Sequence, residues 1–124
     1  MNITSFNPIY GTEKIEEAVK FFGTLGFQEI HKFEKEGFEL RTLENAAGLK
    51  VDVMNNIYVR EMKIEGYFSC RLNVDDMGEA IRFFEDMGAE QMMPLMQEGT
   101  SRELTTYKTP NGDIYSVIHH FKDR

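Results

Sequence analysis

Residues 17–29 read EAVKFFGTLGFQE and residues 79–91 read EAIRFFEDMGAEQ. Glu17/Glu79, Ala18/Ala80, Phe21/Phe83, Phe22/Phe84 and Gly26/Gly88 are identical, and Val19/Ile81, Lys20/Arg82 and Leu25/Met87 are like for like. The offset is 62, half of the 124-residue chain. At that offset Phe6 falls on Phe68, and Asn7 falls on Ser69. The sequence reads as a tandem duplication, so the fold of one copy should be repeated by the other.

Both matched stretches have the period of a helix. Ile15, Ala18, Val19, Phe22 and Leu25 make one apolar stripe, and Met77, Ala80, Ile81, Phe84 and Met87 repeat it. On this reading the stripe residues, Met77 and Met87 among them, are core. Thr12 and Asp75 or Asp76 are the expected N-caps, because their side-chain oxygens can accept from first-turn amides. Gly26 and Gly88 fall where a left-handed residue would end each helix.

The flanks alternate as strands do. Ile3–Tyr10 and Tyr67–Val74 precede the helices; Phe27–Phe33, Phe38–Leu43 and Leu49–Met54 follow the first, and Glu90–Met96, Arg102–Lys108 and Ile114–Phe121 the second. Thr109-Pro110-Asn111-Gly112 is a turn, since Pro presets φ and Asn or Gly tolerates positive φ. Each repeat is thus βαβββ. The chain is expected to be one α+β domain, residues 1–124, with units 1–54 and 67–124 and a linker over 55–66. A ferredoxin-like sheet would explain the paired helices but not three strands after each.

Fourteen basic against twenty-one acidic residues leave a net charge of −7, which argues against phosphate backbones and anionic lipid as partners. There is no apolar run of membrane-spanning length and no basic-then-apolar leader. Cys70, the one cysteine, has no intramolecular disulfide partner. A cytoplasmic protein without nucleic-acid or membrane partners is the expectation.

The duplicated unit, the helix text EAVKFFGTLGF and the hairpin TPNGDIYSVIHH carry a resemblance to the vicinal oxygen chelate superfamily, the glyoxalase/bleomycin resistance protein/dioxygenase group. The hairpin is similar to that group's Asp-Pro-x-Gly-x-x-(Ile/Leu)-Glu-Leu ending. The resemblance implies curved mixed sheets around a cleft, helices on the outer face, and pairing of cups across a possible homodimer. It implies a metal ligand, usually His, Glu or Gln, on the opening and closing strand of each unit. Those positions fall on Asn7, Asp52, Ser69 and Ser116. One carboxylate among amides and hydroxyls binds zinc and its neighbours poorly, so neither a metal nor another cofactor is expected; the minor alternative is a hard ion, Mg²⁺ or Ca²⁺, on Asp52 and Asn7.

The remaining candidates follow from strand alternation. Asp52, with Val51 and Val53 on the other face, is a cleft carboxylate or the partner of a neighbouring strand. Arg71 shares a face with Ser69 and would clamp an anionic ligand or neutralise a carboxylate. His119 and His120 point to opposite faces and cannot chelate as a pair, and His120 shares its face with Ile114, Ser116 and Ile118. Cys70 reads as a small buried hydrophobe, and Met92–Met96 as core filling, an adaptable cleft wall or a dimer seam; Pro94 marks an edge or interrupted strand.

The resulting expectation is a small-molecule-binding protein without the usual metal. Asn7, Asp52, Ser69, Arg71 and Ser116 would be its polar contacts, and Ile9, Ile114 and Ile118 its apolar walls. The alternative is a lyase or isomerase of glyoxalase type, or a dioxygenase-like enzyme, with Asp52 or His120 as acid or base.

Overall fold

The computed structural model of the chain describes residues 1–63 and 66–121. Its elements in order are β1 (Ile3–Gly11), α1 (Ile15–Thr24), β2 (Gln28–Lys35), β3 (Phe38–Glu44), β4 (Lys50–Met54), α2 (Ile57–Met62), β5 (Tyr67–Val74), α3 (Met77–Asp86), β6 (Glu90–Glu98), β7 (Arg102–Lys108) and β8 (Ile114–His120). The fold is α+β, with three strands after each repeated helix. The expected linker is not a plain connection: it contains α2, capped by Asn56, whose side chain accepts from the Val59 amide at 3.3 Å. Ile64 and Glu65 of that linker, and residues 122–124 of the second repeat, lie outside the described residues.

The chain divides into two compact units, a first of Asn7–Phe68 and a second of Met1–Phe6 with Ser69–Arg124. In the first, β2 and β4 flank β3 in antiparallel pairs and β4 runs parallel to β1, with Ile9 opposite Asp52. Strand parity then decides the packing. Leu43, Val51 and Val53 face α1 and take Ile15, Ala18 and Phe22 from it, with Tyr10, Val19 and Phe27 at the margin. Burying each such side chain contributes about 1.5–3 kcal/mol.

The second unit repeats the plan. β6 and β8 flank β7 antiparallel, and β8 runs parallel to β5 with Arg71 opposite Ser116. Met77, Ala80 and Phe84 of α3 pack on Cys70, Leu72, Val74, Tyr107 and Val117. Phe84 stacks on Tyr107 with centroids 4.8 Å apart and planes within 5°. Even the irregularities recur: register shifts between Glu29 and His31 in β2, and between Gln91 and Met93 in β6. A further shift between Met93 and Met96 brackets Pro94, which has no amide to give the ladder.

Gly26 and Gly88 end the helices at φ +93° and +85°, as their position predicts. Asp76 caps α3, its Oδ1 accepting from the Glu79 amide at 3.0 Å. Thr12 is not the cap of α1. That position is Lys14, with no side-chain cap, and the Thr12 hydroxyl instead accepts from the Lys14 amide at 2.9 Å, closing a turn before the helix begins. Leu25 and Met87 are not core but exposed. Each lies at the far edge of its stripe and at the C-cap, where the chain leaves the sheet. The Met92–Met96 run is not core filling either: Met92 and Met93 are half-buried and Met96 is exposed.

Candidate functional site

The sequence candidates separate into one group on each unit, on the sheet face away from its helix. In the first unit that face carries Asn7 and Ile9 from β1, Thr42 from β3 and Asp52 from β4, all buried. The Thr42 hydroxyl donates to Oδ1 of Asp52 at 2.7 Å. Asp52 has no exposed surface, so its carboxylate is one element of a closed polar row.

The second unit's corresponding face is more open. Parallel pairing sets Arg71 beside Ser116, and antiparallel pairing sets Ser116 beside Thr106, giving one row across β5, β8 and β7. The next row is Asn73, Ile118 and Leu104, and beyond it His120 lies opposite Arg102. Ser69, Arg71, Ile114 and Ser116 are half-buried, Ile118 is buried and His120 is exposed. The thiol of Cys70 points the other way, into the helix-covered core, where burial pushes its pKa up against the opposing influence of Arg71.

Arg71 and Arg102 are cationic groups of this face. Arg102 is paired with Glu98 of β6. Burial first, then Arg102, Arg71 and His119, hold the His120 imidazole below its ordinary pKa. His119, on the opposite face, meets Glu103 with Nδ1 3.3 Å from Oε1. Asn73 Oδ1 is buried and accepts no hydrogen bond from the described residues. Arg102 and Thr106 are absent from the sequence-derived candidates. Their signal is the Thr109–Gly112 turn, because pairing β7 back on β8 from that turn puts both on the Ser116 face.

The ligand positions implied by the resemblance do not suit a first-row transition ion. The first unit offers the Asn7 amide and an Asp52 carboxylate that already accepts from Thr42; the second offers only the hydroxyls of Ser69 and Ser116. Among the described residues no three His, Cys, Asp or Glu side chains gather as a metal site. His31 is exposed on β2. No helix among them is long and apolar enough to cross a membrane.

A second charged cluster belongs to the architecture of the first unit. Arg41 on β3 is buried and donates through Nε to Glu39 at 2.7 Å, through Nη1 to Glu29 at 2.9 Å, and through Nη2 to Glu16 of α1. Burial works against its charge, but the three carboxylates outweigh that and hold the guanidinium above its ordinary pKa. The cluster ties α1 to β2 and β3 on the helix side of the sheet.

No family model matches the sequence, and no curated protein matches it. Solved structures do match. A glyoxalase/bleomycin resistance protein/dioxygenase superfamily member from Vibrio splendidus 12B01 is similar at 14% identity with a TM-score of 0.66, over 97% of this chain and 100% of that one. Methylmalonyl-CoA epimerase from Mycobacterium tuberculosis is similar at 11% identity and TM-score 0.70, over 94% and 88% of the two chains. A protein from Staphylococcus aureus is similar at 18% identity and TM-score 0.70, over 96% and 98%. At these identities the likeness is one of fold: the chain has the α+β architecture of the glyoxalase/bleomycin resistance/dioxygenase type.

Proposed function

We propose that this chain binds a small organic anion on the helix-free face of its second unit, without a metal ion in the site. The observation that carries the reading is Arg71 beside Ser116 on β5 and β8, a guanidinium and a hydroxyl both partly open to solvent; Thr106 of β7, next in the row, is buried and donates its hydroxyl to Met93 Sδ at 3.3 Å. A planar guanidinium recognises carboxylate, sulfonate or phosphate oxygens through two parallel N–H bonds, and a neighbouring hydroxyl supplies a further donor. Ile114, Ile118 and Leu104 on the same face cover the apolar part of the ligand. Ser69 and Asn73 border Arg71 along β5. Asn7, Ile9 and Asp52 form the closed face of the first unit, where Asp52 acts by holding Thr42 rather than by touching a ligand.

The test is a thermal-shift and calorimetric screen of aryl carboxylates, sulfonates and phosphates beside their neutral isosteres. A ligand that binds the native state raises its melting temperature. Anions should do so, neutral isosteres should not, and Arg71→Gln should abolish the difference. Equal response to charged and neutral compounds, or an unchanged response in Arg71→Gln, overturns the reading.

A second reading, acid–base catalysis on the bound anion, is favoured by one observation. The depressed pKa of His120 keeps its imidazole neutral near pH 7 and able to accept a proton. Solvent-deuterium exchange into a bound carbonyl acid, lost in His120→Gln, tests it; no exchange by the unaltered chain rejects it.

A further inference from the structure

The two copies agree along their helices and diverge beside them. Tyr10, Thr12 and Lys14 of the first stand where the second has Leu72, Val74 and Asp76. In the second unit those three serve folding: Leu72 and Val74 are buried in the core, and Asp76 caps α3. The first unit gives up the cap, since Lys14 makes no side-chain cap to α1, and Tyr10 stays half-buried. Local choices that weaken a fold in this way are expected where a site has other demands.

All three divergent residues line one recess of about 410 Å³, a volume in the range of small-molecule sites. Its walls are aromatic. Tyr10 meets Phe68 at 5.0 Å and Phe22 at 5.7 Å, and Phe21 meets Phe22 at 5.5 Å, each edge to face. Phe21 and Phe68 are 59% and 61% exposed, so their rings keep surface that folding leaves uncovered. Gly66 makes room for the Tyr10 hydroxyl: it takes φ +63°, and a Cβ there would stand 3.1 Å from that oxygen. Lys14 and Glu17, both exposed, bring one charge of each sign to the recess.

We infer that this recess binds a free amino acid with an aromatic side chain. It shares no residue with the anion site of the second unit. The paired charges select the ligand class. A carboxylate alone would meet Glu17 as a like charge, and an ammonium alone would meet Lys14 in the same way. A zwitterion uses both, its carboxylate on Lys14 and its ammonium on Glu17, so each charge also rejects the wrong ligand. The rings attract the ammonium through their faces and pack the aromatic side chain among them. Pairing of Lys14 with Glu17 across one turn of exposed helix would contribute little to stability and gives no reason for the aromatic walls.

Amide chemical-shift titration of the full chain tests this, because it locates each ligand as well as ranking it. L-Phenylalanine should shift the amides of residues 10–22 and 66–68 along a saturable curve. Phenethylamine, which lacks the carboxylate, and 3-phenylpropionate, which lacks the ammonium, should bind there about tenfold or more weakly. Lys14→Gln should weaken L-phenylalanine about tenfold without weakening phenethylamine, and Glu17→Gln should do so without weakening 3-phenylpropionate. Both are substitutions of exposed side chains and leave the fold in place. Four results each overturn the inference: no saturable shift in these amides, shifts confined to β5 and β8 around Arg71 and Ser116, equal affinity for phenethylamine and L-phenylalanine, or an affinity unmoved by both charge substitutions.

Discussion

Thr42 donates its hydroxyl to Oδ1 of Asp52 at 2.7 Å across the β3–β4 pair, on the sheet face opposite α1. A hydrogen bond buried this completely is costly to break, because the group left behind keeps its desolvation penalty. Asp52→Ala is expected to cost about 2–4 kcal/mol, since it strands the buried Thr42 hydroxyl and leaves a cavity. Asp52→Asn, which keeps an acceptor at the same place, should cost less. Urea denaturation of both variants checks the order. Equal stability of the Asn and Ala forms removes the hydrogen bond from the account.

The paired phenylalanines allow a contrast inside one sequence. Phe22 and Phe84 are core, and truncation of either to Ala should cost about 3–5 kcal/mol by lost transfer energy and the cavity left behind. Phe21 and Phe83, one residue earlier on the same helices, are more than one-third exposed and should cost under about 1 kcal/mol in the same assay. Comparable losses at all four positions contradict the packing described for α1 and α3.

The contrast also shows what periodicity conveys. The spacing of Ile15, Ala18 and Phe22 gives the direction of a helix face, and Val51-Asp52-Val53 gives the parity of a strand; both hold in the structure. Periodicity is silent on the depth of burial, which is how Leu25 and Met87 entered the expected core. α2 escaped notice because six residues make too few turns for a stripe; its only mark is the capping side chain of Asn56. The Arg41 cluster escaped for another reason. Its four charges come from α1, β2 and β3, and only strand register and helix docking bring them within bonding distance. In the candidate site, Ser116 came from the ligand positions the resemblance implies and Arg71 from its alternation with Ser69, whereas Arg102 and Thr106 needed the β7–β8 register.

Removing Arg41 should loosen the first unit. In Arg41→Met, Glu16, Glu29 and Glu39 lose their common counter-ion and repel one another. Glu16 and Glu29 are solvent-facing, which discounts the loss to about 1–3 kcal/mol. Arg41→Lys keeps the charge but not the fork and should fall between the two. Added salt should narrow the gap between Arg41→Met and the unaltered chain. A gap insensitive to salt would assign the loss to packing of the side-chain stem instead.

Arg71 is expected to set both affinity and its salt dependence. Arg71→Gln should weaken binding of an aryl sulfonate about tenfold or more, as loss of a charge-assisted pair does. Binding to the unaltered chain should weaken as ionic strength rises, while the residual binding of Arg71→Gln should be flatter. Calorimetry at two salt concentrations separates charge recognition from apolar burial by Ile114 and Ile118. Parallel salt slopes in the two proteins exclude Arg71 from the contact.

His120 supplies a pH dependence whose sign is fixed by its surroundings. Burial, then Arg102, Arg71 and the adjacent His119, lower its pKa, so the folded chain takes up this proton less readily than the unfolded one. Above the ordinary value of 6.5 the residue leaves stability unchanged. As pH falls through that value the unfolded chain protonates first, and stability declines until the folded pKa is passed. A bound anion opposes the arginines and raises the pKa of His120. Anion affinity should therefore increase over the same acid window, modestly, because the imidazole is exposed and screened. An aryl sulfonate is the suitable probe, since its own charge does not titrate between neutral pH and about pH 5. The expected pair of results is a ligand-free melting temperature that drops with acid and a sulfonate affinity that climbs, both flattened in His120→Gln. A climb retained in His120→Gln, or affinity that falls with acid in the unaltered chain, removes the histidine from the anion site.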